Sequence, residues 1–335
     1  MQVFGLVIFY LFFSSGYSLN TYYKQHYTNV ISFLDHIQKD VSDLKKDISD
    51  IKKDVKSLNI KAKSKSTRDN LLHPKYIHFI ETTTGSMHLS ALQQCSVESA
   101  KKHNPLSQVI VWSFEQKMVP NGIENKIIDW RVKASKYFNV SNLEKKLSTD
   151  STFRIAHLSD ICRYIILMEH GGLYLDIDTI MVDRYVPMNK CMISIVRQDS
   201  EKLANGVIYA DRPGHPVFDN SLYKLDEVYN GNDWETIGPT YISHHVKYQC
   251  DLNSLANVTK CRHICIYPAD TFYPFSWDSE EIKNIYSEKS ANYNIPPNTI
   301  GVHVFNKITS SLSNKIDSES LFAKLAHLNC PNVEI

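Results

Sequence analysis

The chain has 335 residues, 43% of them hydrophobic, and a formal net charge of +1. That length holds one large domain with accessory segments, and the composition allows a full core. The near-neutral balance excludes a partner held mainly by charge, so no nucleic acid is expected.

Residues 1–19 read as a signal anchor or a signal peptide. Val3 to Phe13 carries no charge, and small residues follow at Ser14, Ser15, Gly16 and Ser18. The run has the length of a signal-peptide core. Extended to Leu19, it approaches the lower limit of a spanning helix. No Lys or Arg precedes it and Lys24 follows it, so the positive-inside rule gives no support for a cytosolic N-terminus. Both readings predict entry into the secretory pathway. The chain is then anchored in the membrane, or soluble if the signal is cleaved. The sequons Asn139-Val140-Ser141 and Asn257-Val258-Thr259 fit that route.

Residues 20–60 read as a stem. Leu34, Val41, Ile48 and Val55 alternate with Ile37, Leu44, Ile51 and Leu58 in steps of three and four. That spacing is the seam of a left-handed coiled coil, and a homo-oligomer is expected through it. Residues 61–73 are rich in Lys and Ser and read as a linker.

The globular domain is placed at 74–335. Tyr76–Ile80 reads as a buried strand, a helix follows around Leu89–His103, and Gln108–Phe114 reads as a second strand. Strand, helix, strand at this spacing predicts a parallel sheet of α/β type. A further helix is expected near Asp317–Leu328. Seven cysteines occur, an odd number, so at least one is free or pairs with another chain. Cys250 is expected to pair with Cys261 or Cys265.

The segment Leu158 to Ile180 carries the chemistry. Ser159-Asp160 reads as a helix start and Ile161–Met168 as a buried helix. Asp160 and Arg163 share a face at i and i+3. Gly171-Gly172 ends the helix and permits a tight reversal. A strand is expected from Leu173 to about Asp178. Its alternation puts Tyr174, Asp176 and Asp178 on one face, with both carboxylates at the carboxyl edge of the sheet. Two such carboxylates repel unless a cation lies between them. A hard divalent ion meets that need and also neutralises a nucleotide diphosphate.

This segment resembles the sugar-binding DXD region of family 32 glycosyltransferases. The likeness extends to the group of lactosylceramide 4-alpha-galactosyltransferases and alpha-1,4-N-acetylglucosaminyltransferases. It is carried by IHFIETT (Ile77–Thr83), CSVESAKKHNP (Cys95–Pro105), IGP (Ile237–Pro239), FYPFSW (Phe272–Trp277) and HVFNK (His303–Lys307), in family order. The stretch from Trp112 to Phe153 matches poorly. The resemblance implies a GT-A fold, Rossmann-like with a mostly parallel sheet, behind the coiled-coil stem. It implies a single-pass type II protein at the Golgi membrane with its catalytic domain in the Golgi lumen, or a soluble lumenal protein if the signal is cleaved. It implies a UDP-sugar donor, UDP-galactose or UDP-N-acetylglucosamine, with Mn²⁺ as the divalent metal. The sugar passes to a glycan acceptor, on glycolipid or glycoprotein, in an alpha-1,4-type linkage with retention. Asp176 and Asp178 match the DXD pair and, with His303, form the implied metal set. Asp160 and Arg163 are implied at the donor-sugar hydroxyls, Thr82 and Thr83 beside uridine, and Asn306 and Lys307 on the diphosphate side. The competing expectation is a catalytically inactive glycan-binding or coiled-coil interaction protein.

Overall fold

The computed structural model describes residues 73–149, 153–188, 191–309 and 316–334, together with some helical residues between positions 32 and 46. The signal segment and the linker lie outside the described residues, as does most of the heptad stretch. Of the stem, Leu34, Ile37 and Val41 are helical and exposed. They form part of a first unit at 1–71, separate from the unit at 72–335.

The second unit is built on an eight-stranded sheet. Its strands are β1 (Tyr76–Glu81), β2 (Gln108–Ser113), β3 (Glu124–Ile127), β4 (Gly172–Leu175), β6 (Ile193–Arg197), β7 (Leu203–Ala210), β8 (Lys260–Cys261) and β9 (Ile264–Tyr267). Their order is β3-β2-β1-β4-β7-β6-β9-β8. Strands β3, β2, β1 and β4 are mutually parallel, and β6 is parallel to β9. Strand β7 is antiparallel to both of its neighbours, and β8 is antiparallel to β9. The mainly parallel α/β sheet expected from the sequence is therefore present.

Helices cover both faces, which is why the central strands read as continuous apolar runs. On one face, Ile77, Phe79, Val109 and Val111 pack with Val97 and Ala100 of helix α1 (Ala91–His103). On the other, Ile80, Ile110 and Trp112 pack with Ile161, Ile165 and Leu167 of helix α2 (Arg154–His170). Helix α3 (Pro239–Cys250) adds Ile242 and Val246 to that second layer. Helix α1 starts at a capping box, in which Ser90 accepts from Gln93 and the Gln93 side chain accepts from Ser90.

Two boundaries differ from the sequence reading. Helix α2 begins at Arg154, so Ser159 and Asp160 stand inside it rather than at its cap. The buried stripe of Leu158, Ile161, Cys162 and Ile165 carries helical spacing further upstream than the polar pair suggests. Strand β4 ends at Leu175, because the Thr179 amide donates to the Asp176 carbonyl at 3.0 Å and closes a turn over the DXD triplet. The Gly171-Gly172 reversal behaves as expected. Both have positive φ, 63° and 93°. A Cβ on Gly172 would lie 2.7 Å from the Tyr76 carbonyl oxygen.

After the triplet, β5 (Thr179–Met181) pairs antiparallel with β10 (Gly301–His303), setting His303 opposite Thr179. This small sheet returns the distant HVFNK segment to the DXD turn. A last helix, α4 (Leu321–Asn329), is bound to α1 by the Cys95–Cys330 disulfide. Cys191 pairs with Cys265 and Cys250 with Cys261. Cys162 is the free thiol, buried in α2, and burial pushes its pKa up to about 12.

Candidate active site

Asp176, Asp178 and His303 converge although 127 residues separate the first from the last. Each carboxylate has one oxygen held by the protein and one turned toward His303. On Asp176, Oδ1 accepts from the Tyr174 hydroxyl at 2.6 Å and pairs with Arg163 Nη2 at 3.1 Å. Its Oδ2 lies 3.4 Å from His303 Nε2. On Asp178, Oδ2 accepts the Asn306 amide at 2.7 Å, and Oδ1 lies 3.2 Å from His303 Nε2. Phe305, between His303 and Asn306, holds a left-handed φ of 55°. Strain of this kind in a non-glycine residue persists where surrounding contacts fix it, as at functional sites.

The three candidate ligand atoms lie within 4.8 Å of one another. Adjacent ligands on a divalent ion about 2.1 Å away stand about 3 Å apart, so the set has a fitting size. Two carboxylate oxygens and one imidazole also suit a hard or borderline ion. Ligation by Nε2 requires the imidazole proton on Nδ1. The Phe305 amide now faces Nδ1 at 3.3 Å, the long end of hydrogen bonding, and that contact must give way.

Arg163 joins this cluster to a second one. It pairs with Asp160 at 3.1 Å and donates to the Asn205 carbonyl at 2.7 Å, while its guanidinium lies 4.6 Å over the Tyr174 ring. Asn205 Nδ2 donates to Asp160 Oδ1 at 2.8 Å. Asp160, Arg163, Asn205 and His303 are all buried.

Burial sets the electrostatics, and the pairing modifies it. Burial pushes the Asp160 carboxyl up to about 7, against the pull of Arg163 and with the push of Asp176. Burial also raises Asp176, but Arg163 and His303 outweigh it and hold that carboxyl below its ordinary value. Burial lowers His303, yet Asp178 and Asp176 outweigh it and hold the imidazole above its ordinary value.

Of the remaining sequence candidates, only Asn306 touches the carboxylate cluster. Thr82 and Thr83 follow β1. Thr82 Oγ1 donates to the Ile155 carbonyl at 3.0 Å, and the Thr83 amide donates to Glu81 at 2.7 Å. Asn306 touches Asp178 through its backbone amide. The Lys307 ammonium lies over the rings of Trp234 and Phe153.

Sequence reasoning missed Asn205 and Gly206. A Cβ on Gly206 would lie 2.4 Å from Asp176 Oδ2 and 2.8 Å from the Tyr273 hydroxyl, so only glycine leaves the carboxylate where it is. The one sequence signal was a glycine inside a strand, which marks close approach of another group.

Two family descriptions match the chain. Residues 90–195 match the glycosyltransferase sugar-binding region containing the DXD motif, and residues 210–334 match the alpha 1,4-glycosyltransferase conserved region. Together the two matches take in most of residues 90–334, and the chain is similar to these glycosyltransferases. It is an enzyme that transfers a hexose. Lactosylceramide 4-alpha-galactosyltransferase of Gorilla gorilla gorilla is 26% identical over 286 residues, 77% of this chain and 82% of that protein. Alpha-1,4-N-acetylglucosaminyltransferase of Homo sapiens is 25% identical over 244 residues, 64% of this chain and 70% of that protein. Among solved structures, PaToxG glycosyltransferase is 18% identical, with a TM-score of 0.43 over 54% of this chain and 71% of that one. The galactosyltransferase LgtC, in complex with donor and acceptor sugar analogs, is 13% identical, with a TM-score of 0.38 over 76% and 96%.

Proposed function

We propose that this transferase moves galactose from UDP-galactose onto a galactose-ended glycan, with Mn²⁺ and with retention, in an alpha-1,4-type linkage. UDP-N-acetylglucosamine is the second donor. Galactose comes first because the relatives named for galactosyl transfer match more of the chain. The observation that carries the reading is the convergence of Asp176 Oδ2, Asp178 Oδ1 and His303 Nε2. When bound there, a divalent cation neutralises the diphosphate and makes it a better leaving group.

The chain's own groups have roles beside it. Asp176, Asp178 and His303 hold the cation. Arg163 and Asp160 hold donor-sugar hydroxyls, and Asn205 fixes Asp160. Thr82 and Thr83 border the uridine, and Asn306 and Lys307 lie on the diphosphate side. The acceptor hydroxyl oxygen bonds to the anomeric carbon on the face that the diphosphate leaves. The departing UDP oxygen keeps the bonding electron pair and takes the hydroxyl proton. Catalysis rests mainly on positioning and on fixed charge.

Three disulfides and the exposed sequon residues Asn139 and Asn257 support a place in an oxidising secretory compartment, which this reading assigns to the Golgi lumen. Oligomerisation through the 20–60 stem belongs to the same reading.

The test is UDP release by the purified protein from UDP-galactose and from UDP-N-acetylglucosamine, with Mn²⁺ and with EDTA. Release that needs the metal is expected. Equal release in EDTA, or none from either donor, would overturn the proposal.

A further inference from the structure

Beside the carboxylate cluster lies a group that the sequence did not bring together. Phe153, just before α2, meets Trp234 edge to face, with ring centroids 5.3 Å apart. The Lys307 ammonium stands 3.9 Å from the Trp234 centroid and 4.3 Å from the Phe153 centroid. Among the described residues, no carboxylate lies within ion-pair distance of that ammonium. His157 braces Phe153 from behind, with ring centroids 5.8 Å apart. Trp234 nevertheless keeps 42% of its surface open.

This pair adjoins the site through Lys307, the residue after Asn306, whose amide bonds Asp178, and the Trp234 backbone lies near Asp160. A Cβ built on Gly238 would stand 3.6 Å from Asp160 Oδ2 and 3.7 Å from the Trp234 carbonyl oxygen. One exposed indole and one phenyl ring meeting edge to face have the chemistry that receives a pyranose, whose C–H face packs on rings. The Lys307 ammonium already occupies that position. A cation over two rings is held only modestly, and a diphosphate attracts the same ammonium more strongly. Lys307 follows directly on Asn306, whose amide bonds Asp178, so its flexible stem can reach the diphosphate side.

We propose that Phe153 and Trp234 form the acceptor-sugar platform and that Lys307 caps it until the donor diphosphate draws the ammonium away. The cap makes acceptor binding follow donor binding, and it protects the donor from meeting an acceptor in the wrong order. The inference rests on the transferase reading above for its ligands.

The experiment measures lactose affinity by titration calorimetry, with and without UDP and Mn²⁺. The wild-type protein should bind lactose at least about tenfold more tightly when UDP and Mn²⁺ are present. Lys307→Ala should bind lactose that tightly without nucleotide and gain nothing from adding it. Trp234→Leu should lose lactose binding in both conditions, and Phe153→Leu should repeat that loss from the other ring. Trp234 is a loop residue with much of its surface open, and circular dichroism melting checks that its variant folds. The inference is overturned if Lys307→Ala without nucleotide binds lactose no better than the wild type. It is equally overturned if Trp234→Leu binds as the wild type does. Failure of the wild type to bind UDP with Mn²⁺ would instead strike the proposed function, while the nucleotide-free lactose comparison would still be decisive here.

Discussion

On the carboxylate side of the site, Asp160, Arg163, Asp176, Asp178 and His303 stand on one helix, a strand-end turn and a short strand, and each touches another. On the aromatic side, Phe153 and Trp234 stand in loops, and Lys307 stands on a single turn of helix (Asn306–Thr309). The first side is mostly buried and fixed by hydrogen bonds, whereas the second keeps Trp234 and Lys307 open to solvent. The difference matches two tasks. Groups that stabilise developing charge need fixed positions, because reorganisation at the moment of reaction costs rate. Groups that accept and release a sugar need room to move.

The comparison breaks most readily at Asp178. Asp178→Asn should lower transfer at least about a hundredfold, since even an outer partner of a metal ligand is worth 10–100-fold. Its melting temperature should stay near that of the wild type. Steady-state transfer and a melting curve read the two effects separately.

Arg163→Met comes next. It leaves Asp160 and Asp176 without their shared cation in a buried site, and breaking such a pair costs about 3–5 kcal/mol. Urea unfolding measures the loss. A change below about 1 kcal/mol would mean that the cluster is not held together by this arginine.

Gly206→Ala sharpens the contrast between fixed and adaptable sides. The added Cβ must push Asp176 Oδ2 aside. Transfer should fall about tenfold, with a stability loss of about 1–3 kcal/mol. Transfer rate together with urea unfolding checks it.

The smallest effect is in the pH dependence of stability. Asp160 is pushed up to about 7 in the folded chain, against about 3.9 when unfolded. Between those values the folded form holds a proton that the unfolded form has released. The stability contributed by this group is therefore full below about pH 4, falls as pH rises, and is gone above about pH 7. Asp176 has the opposite sign, because its depressed pKa contributes stability that is lost toward more acid pH. Asp160→Asn should flatten the melting-temperature slope between about pH 5 and 7. An unchanged slope would assign it to other groups.

Most of the carboxylate side was legible in the sequence because four of its members sit close together or at fixed helical and strand spacing, whereas His303, 127 residues beyond Asp176, came only through the HVFNK resemblance. Asp160 and Arg163 are three apart in a helix, and Asp176 and Asp178 flank one residue after a glycine pair. The strands were legible because two-faced burial leaves unbroken apolar runs, as in YIHFI. Exact ends were less so. The DXD turn closes by a backbone bond that no side-chain pattern announces, and α2 extends upstream of its polar pair. The aromatic side was not assembled from sequence, since Phe153, Trp234 and Lys307 lie far apart in the chain and share no period. Asn205 and Gly206 act through a carbonyl, an amide and a missing Cβ, and two of those three features carry no side-chain signal.

Manganese paramagnetic resonance on the wild-type protein with UDP addresses the metal site at the heart of this account. One bound Mn²⁺ per chain is predicted, its signal lost in Asp178→Asn. Undiminished binding after both Asp176 and Asp178 are replaced by Asn would contradict the assignment of the cation to this turn.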